Sequence, residues 1–343
     1  MLDAILLANS QEETRRMRPT VCSFAAAAFA ALVLTGCDAD SPPARPDEDG
    51  SEQSVDDSEA RLIPQTAGFD QVRALALDPH SAELPDDSLL AGQIRRGFDI
   101  ITNTPVHAPR YSGNAMTCAN CHLNAGQRER ALPLVGVAAV FPVSRAREGR
   151  LFSLEDRIRG CFMRSMNGTA PPYDSEELLA VSAYIHWLSR GQSLGESPPW
   201  RGLNTIPEES RLAIDRLDPV LGESIFRQQC TMCHGVDGQG VDIGGVKPGP
   251  LWGDSSWNDG AGLSRVYTLA GYLRYTMPLT APGTLTDEQA QHVAAYINAQ
   301  ERPTYPDKAN DYPAGAPVDA VYYPRYDENP VRARLLEASG VDR

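Results

Sequence analysis

The chain has 343 residues, seven cysteines and a formal charge of −14 at pH 7. That length suits two domains once tails are allowed for. A balance so acidic argues against a nucleic-acid partner, whose phosphates need neutralising cations.

Residues 1–36 read as a leader rather than as fold. Arg15, Arg16 and Arg18 precede an apolar run from Val21 to Leu34, the basic and hydrophobic parts of a signal peptide. The run is too short for a comfortable membrane span. Met17 serves as well as Met1 for a start, since residues 1–16 add nothing a signal peptide needs. The run ends in Leu34-Thr35-Gly36-Cys37, which resembles a bacterial lipobox. That resemblance implies lipidation of Cys37 as the first mature residue, and so a periplasmic protein held to the membrane by a lipid anchor. The competing reading is an ordinary signal peptide cut among the alanines. Residues 38–60 then hold nine acids and one arginine, too little apolar surface to order a core. Residues 37–61 are expected to be a disordered tether, with a mean reach of roughly 25 Å.

The first domain is expected over 62–200. A helical pattern over 89–102 leads to Cys118-Ala119-Asn120-Cys121-His122. Cys-x-x-Cys-His is the attachment motif of c-type haem: Cys118 and Cys121 form thioethers and His122 binds the iron from one side. A zinc site would need further converging ligands, and no other Cys-x-x-Cys or paired histidines are available. From His122 to Asn167 run eight arginines, at 128, 130, 145, 147, 150, 157, 159 and 164, against four acids. Salt bridges and haem propionates account for some; the surplus suggests an anion site beside this haem. Cys161 lies among them. A free cysteine holds its proton to about pH 8.5, and a nearby cation lowers that by about 1–3 units. Arg157 is one turn before it and Arg164 almost one turn after. The domain closes with a helix into Ala183-Tyr184-Ile185, with Asp174 and Glu177 at capping-box spacing.

After a polar linker over 201–210, the second domain is expected over 211–300. A helix over 220–230 leads into Cys230-Thr231-Met232-Cys233-His234, a second haem c site with Cys230 and Cys233 as thioethers and His234 on the iron. Cys118 and Cys230 lie 112 positions apart, as do the two Ala-Tyr-Ile triplets. Thr286 and Gln289 have capping-box spacing before the second triplet. Helix, haem motif, distal loop, helix resembles class I cytochrome c. The fold class is therefore all-α: two tandem class I cytochrome c domains, each with one covalent haem c. The Pro/Tyr-rich tail over 301–343 is expected to be an extended strap.

Met277, 43 residues after His234 and followed by Pro278, resembles the methionine loop of class I cytochromes, which implies the distal ligand of the second haem; the competing reading is a methionine that fills the core. His292 reads as a polar position on the last helix. For the first haem the 112-residue offset lands on Ser165, which nominates Met166 or Met163. Cys161, one turn earlier, also reaches, or else is a buried small hydrophobe.

The segment 141–168, "FPVSRAREGRLFSLEDRIRGCFMRSMNG", with both haem motifs and "YTMP", resembles the dihaem thiosulfate dehydrogenases, from about residue 85 to the tail. The resemblance implies His122 and a Cys161 thiolate on the first iron, and His234 with Met277 on the second. It also implies that Arg147 and Arg157 hold substrate. Phe141 stands where tyrosine is usual, and Thr276 where some members carry lysine, which removes any lysine-to-methionine ligand switch. The implied reaction couples two thiosulfates to tetrathionate, or the reverse, and passes two electrons outward. The acidic chain suggests a basic periplasmic acceptor, a small cytochrome c or copper protein. The rival reading is a dihaem electron-transfer protein without substrate chemistry; Cys161 and its arginines discriminate, because a shuttle has no use for them.

Overall fold

The computed structural model describes residues 62–66, 74–323 and 329–338. The expectations for the leader, for Cys37 and for the acidic tether through residue 61 lie outside these residues. The chain order is α1 Ser88–Thr102, α2 Thr104–His107, α3 Leu123–Gly126, β1 Val143–Arg145, β2 Arg150–Phe152, α4 Leu154–Arg164 and α5 Glu176–Leu188. It continues with α6 Pro219–Gln229, α7 Thr231–His234, α8 Val266–Thr276, α9 Asp287–Ala299 and α10 Pro330–Ala338. The one sheet among the described residues is the β1–β2 hairpin, antiparallel, with Arg145 opposite Arg150. The rest is helix, short 3-10 turns and loop, as the cytochrome pattern requires.

Both expected helix pairs form, and they form alike. Asp87 caps α1 by accepting from the Leu89 and Leu90 amides. Its buried side, Ala91, Ile94, Gly97, Ile100 and Ile101, is one stripe at helical spacing. That stripe crosses α5 at Gly97, where an added Cβ would sit 2.0 Å from the Ala180 carbonyl oxygen and 2.8 Å from Tyr184 Cβ. In the second half α6 crosses α9 at Gly222, where a Cβ would sit 2.0 Å from the His292 carbonyl oxygen and 3.0 Å from Tyr296 Cβ. Ala180 and His292, like Tyr184 and Tyr296, are 112 residues apart. The repeat is a repeated helix crossing, and only glycine lets these backbones approach so closely.

Three details differ from expectation. The cap of α5 is Ser175, whose Oγ accepts from the Leu178 amide, not Asp174. Starting one residue later puts Glu176 and Glu177 in the first turn, where both pair with Arg96 on α1. The Thr286–Gln289 capping box forms as expected. His292 is buried and its Nδ1 accepts from the Asp218 amide, tying α9 to the cap of α6. The tail is a strap through residue 323 and then becomes α10. Asn329 Oδ1 caps that helix by accepting from the Val331 and Arg332 amides, and its Nδ2 donates to the Asn298 carbonyl on α9. Asn-Pro is a helix-start signal that the surrounding prolines and tyrosines mask.

The described residues fall in one compact unit. Asn258, fully buried, donates to the Met163 carbonyl at 2.8 Å and to Asn167 Oδ1 at 3.1 Å, joining the halves. The strap adds a second join. Asp311 accepts a two-pronged bond from Arg164 of α4 at 2.6 and 2.7 Å, with both side chains almost fully buried.

Candidate active site

Thr117 and Asn120 bracket a tight turn over Cys118–Asn120, the Thr117 amide donating to Asn120 Oδ1 at 2.7 Å. The turn brings Cys118, Cys121 and His122 to one side of a cavity of about 190 Å³. The facing wall is α4 and its end: Arg157, Cys161, Ser165 and Met166 all line the same cavity. Arg157 and Cys161 are four residues apart and share a helix face. Met163 does not line the cavity; its carbonyl serves Asn258.

The protonation of this cluster suits a haem. Burial, opposed by the Leu132 carbonyl bond and aided by Arg157, pulls His122 down to about 4. The imidazole is therefore neutral, the form that binds a metal. His122 Nδ1 lies 2.5 Å from the Leu132 carbonyl oxygen. A carbonyl only accepts, so Nδ1 carries the proton and Nε2 keeps its lone pair for iron. Burial pushes Cys118 up to about 11 and Cys121 up to about 12, and neither is in a disulfide. Among the described residues no group of three or more His, Cys, Asp or Glu side chains converges to hold a bare metal ion. The donor set fits a porphyrin held by thioethers, and it does not fit zinc.

The second cavity, of about 540 Å³, is lined by Cys230, Cys233 and His234 on one side and Met277, Pro278 and Leu279 on the other. The Met277 amide still bonds back to Leu273, so α8 delivers it to this wall as its C-cap. Burial pulls His234 down to about 4 and pushes Cys230 up to about 12. His234 Nδ1 is buried with no hydrogen-bond partner, unlike its counterpart. The two cavities adjoin. Met116, Thr117, Cys121 and Trp257 line both. Trp257 is almost fully buried and its Nε1 has no partner; a lone loop tryptophan gives no sequence signal of that role.

The structure sorts the eight arginines. Arg128 donates to Gln65 and to the Thr66 carbonyl, and Arg130 to the Leu203 carbonyl. Arg150 forks onto Asp156 at 2.8 and 2.9 Å, and Arg159 donates to the Pro171 carbonyl while stacking on Tyr173. Arg164 is taken by Asp311. Arg147 donates to Glu148 Oε1 and to the Gly260 carbonyl, and it lines neither cavity. The Arg157 guanidinium, in the wall beside Cys161, has no hydrogen-bond or ion-pair partner among the described residues, and the Arg145 guanidinium has none either. The positive surplus read from sequence thus narrows to two guanidiniums.

Comparison with known proteins finds a cytochrome c family match in each half of the chain. Residues 108–194 match the SoxA/TsdA cytochrome c domain family. Residues 218–297 match the family of the cbb3-type cytochrome c oxidase subunit III. Thiosulfate dehydrogenase from Stutzerimonas stutzeri is 38% identical over 246 residues, covering 71% of this chain and 78% of its own length. The enzyme of that name from Allochromatium vinosum is also 38% identical, over 69% of this chain and 88% of its own. Among solved structures, thiosulfate dehydrogenase (TsdBA) from Marichromatium purpuratum superposes with a TM-score of 0.60 at 33% identity. That match spans 67% of this chain and half, 50%, of the other.

Proposed function

The chain belongs to the thiosulfate dehydrogenases, and we propose from that membership that it couples two thiosulfates to tetrathionate and passes two electrons through two c-type haems to an external acceptor. The observation that carries the reading is the first cavity. Cys161 shares it with Cys118, Cys121 and His122, and Arg157, on the same face of α4, has no anion of the protein to satisfy it.

His122 and Cys161 would hold the first iron, His234 and Met277 the second, and the four motif cysteines the porphyrins. When bound, the two haems supply one-electron acceptors, the second at higher potential because a thioether favours reduced iron more than a thiolate does. The protein's own residues do the rest. Thiosulfate is a dianion, and two must meet despite their repulsion. Arg157 offers a permanently charged fork to a sulfonate. Arg147 is the second arginine of this reading; its present bonds to Glu148 and Gly260 hold it in place near α4. The apolar walls, among them Leu134, Val181 and Ile185, keep water low around the sulfur and strengthen those contacts. A plain shuttle would leave Arg157 without a task.

The acceptor we propose is a small periplasmic cytochrome c or copper protein. We also propose a periplasmic location, with lipidation at Cys37 as the anchor. No helix among the described residues is long and apolar enough to cross a membrane; stable attachment by lipid takes more than one acyl chain. The test of the site is electron paramagnetic resonance of the oxidised holoprotein, which reads both sixth ligands together. A His/thiolate signal beside a His/Met signal supports the assignment, whereas two His/Met signals reject it. For the anchor, Cys37→Ser should move the protein from the membrane to the soluble fraction; a wild-type protein already soluble rejects it.

A further inference from the structure

Arg302 lies at the start of the strap, just past α9, and is almost fully buried, 7% exposed. Its Nε donates to Tyr322 Oη at 2.7 Å, its Nη2 to the Ile297 carbonyl at 3.0 Å and its Nη1 to the Trp257 carbonyl at 3.5 Å. All three acceptors are neutral. No carboxylate among the described residues pairs with it: its chain neighbour Glu301 is taken by Arg332, and the buried Asp259 by Lys308 at 2.5 Å. A guanidinium keeps its charge at any relevant pH, so Arg302 is a buried cation without a counter-charge. Such a charge is costly to hold in a protein interior.

Its place in the fold gives the charge something to act on. The guanidinium carbon stands over the face of the Trp257 ring, 4.8 Å from its centre. Trp257 lines both haem cavities, and Arg302 lines neither. The indole is therefore the layer between the cation and the cavities. The chain holds that layer on both sides: the Ser256 carbonyl accepts from Asn114 at 3.1 Å, and Asn258 donates to Met163 and Asn167. Ile297, whose carbonyl accepts from Arg302, lines the second cavity and not the first. Two residues of the second cavity's wall thus rest against Arg302, and one of the first's. An apolar ring screens a charge far less than water does, so the field reaches through it.

We propose that Arg302 is a potential-setting residue: a fixed, buried cation seated behind Trp257 that favours the reduced state of the second haem. A haem loses one unit of positive charge when it takes an electron, and a nearby cation in a low-dielectric interior favours that change. The effect adds to that of the Met277 thioether and biases electrons toward the second cavity. Arg302 acts through its field, since it lines neither cavity. The proposal rests on the two c-type haems and not on thiosulfate, so a failed thiosulfate assay would reject the proposed reaction and leave this assignment standing.

The experiment is a redox titration of the holoprotein, read for each haem by absorption and electron paramagnetic resonance, beside denaturant unfolding. Arg302→Gln removes the charge. At a fixed potential it should shift the second haem's ferrous-to-ferric ratio about tenfold toward ferric, about 59 mV for one electron, with a smaller shift at the first. Arg302→Lys keeps the charge but loses the guanidinium's hydrogen bonds; its ratio should stay within about threefold of wild type while stability falls. Tyr322→Phe removes the Nε acceptor without touching the charge, and should lower stability with both potentials in place. A merely structural role would move potential and stability together in all three variants, which would overturn the proposal. An unchanged second-haem potential in Arg302→Gln would overturn it as well, and so would a shift confined to the first haem. If Arg302→Gln does not fold, the other two variants decide: a tenfold shift in either rejects the charge assignment, and potentials held against falling stability support it.

Discussion

Gly97 against Tyr184 in the first half and Gly222 against Tyr296 in the second make the same crossing, yet the segments between crossing and distal wall are unlike. Cys161 lies 39 residues after His122, inside α4. Met277 lies 43 residues after His234, in extended backbone just past α8. A group placed inside a helix brings company, since the positions four before and four after share its face. Cys161 thus arrives with Arg157 and Ser165 in the same cavity wall. Met277 is followed by Pro278 and Leu279 and brings a thioether with apolar neighbours. The proximal sides differ too: His122 is fixed through Nδ1 to Leu132, while His234 Nδ1 has no partner. On the proposed reading one frame carries a site equipped for substrate and a site equipped only for electrons, and the difference lies in what delivers the proposed distal group.

The sharpest break of that contrast is Cys161→Ala, with alanine chosen to spare the helix the cost of glycine. Both haems should remain attached, because no motif cysteine or histidine changes. Thiosulfate oxidation should fall by three orders of magnitude or more, about 4 kcal/mol of barrier. The first haem's resonance signal should change while the second's stays. Near-normal tetrathionate formation by this variant would refute the catalytic asymmetry between the halves.

The local parts of this arrangement are legible in the sequence. The attachment motifs are five consecutive residues, α1 and α6 have periodic apolar stripes, and Thr286–Gln289 is a cap within one turn. What resisted reading depends on partners far along the chain. Which arginines are spent is decided by Asp311, 147 residues from Arg164, and by the Gly260 carbonyl, 113 residues from Arg147. The fusion of the cavities at Trp257 depends on how the halves dock, which no periodicity encodes. The cap of α5 is Ser175 rather than its neighbour Asp174, and the Glu176 and Glu177 that follow pair with Arg96 on another helix, a contact no local spacing encodes. Family resemblance, not spacing, placed Cys161 ahead of Met166, and Met166 does line the same cavity.

The strap tests whether α4 is held separately from the second half. Asp311→Asn leaves Arg164 buried with only Glu148 Oε1, 4.0 Å away, as counter-charge, a loss of about 3 kcal/mol in unfolding free energy. Denaturant unfolding of the holoprotein checks the size. Hydrogen exchange locates it: α4 should lose protection before α8 does, because the second half keeps Lys308 on Asp259 and Arg302 on Tyr322. Equal loosening of both helices would show that the strap grips the molecule as a whole.

The shared crossing should respond alike in both halves. A methyl group at Gly97 or at Gly222 meets a backbone carbonyl that cannot rotate aside, so each alanine variant should lose about 2 kcal/mol by forced separation of the helices. Thermal unfolding of the two holoproteins should fall together. A large loss at one site and none at the other would dissolve the equivalence drawn from the 112-residue repeat.

The smallest effect is expected at the second cavity, the proposed electron-only site. Met277→Gly removes the thioether from the second cavity but leaves Cys230, Cys233 and His234, so the haem stays attached and its potential drops. The near-infrared sulfur-to-iron band of a His/Met haem should vanish. Turnover should fall about tenfold, about 1.4 kcal/mol, because electrons leave the first site less readily. Thiosulfate affinity should not move, since Met277 lies in the other cavity from Arg157. The split between an altered rate and an unaltered Kd is what the contrast requires. If the band survives, the methionine ligand is Met166 in the first cavity, and the two halves are more alike in their ligands than their distal walls suggest.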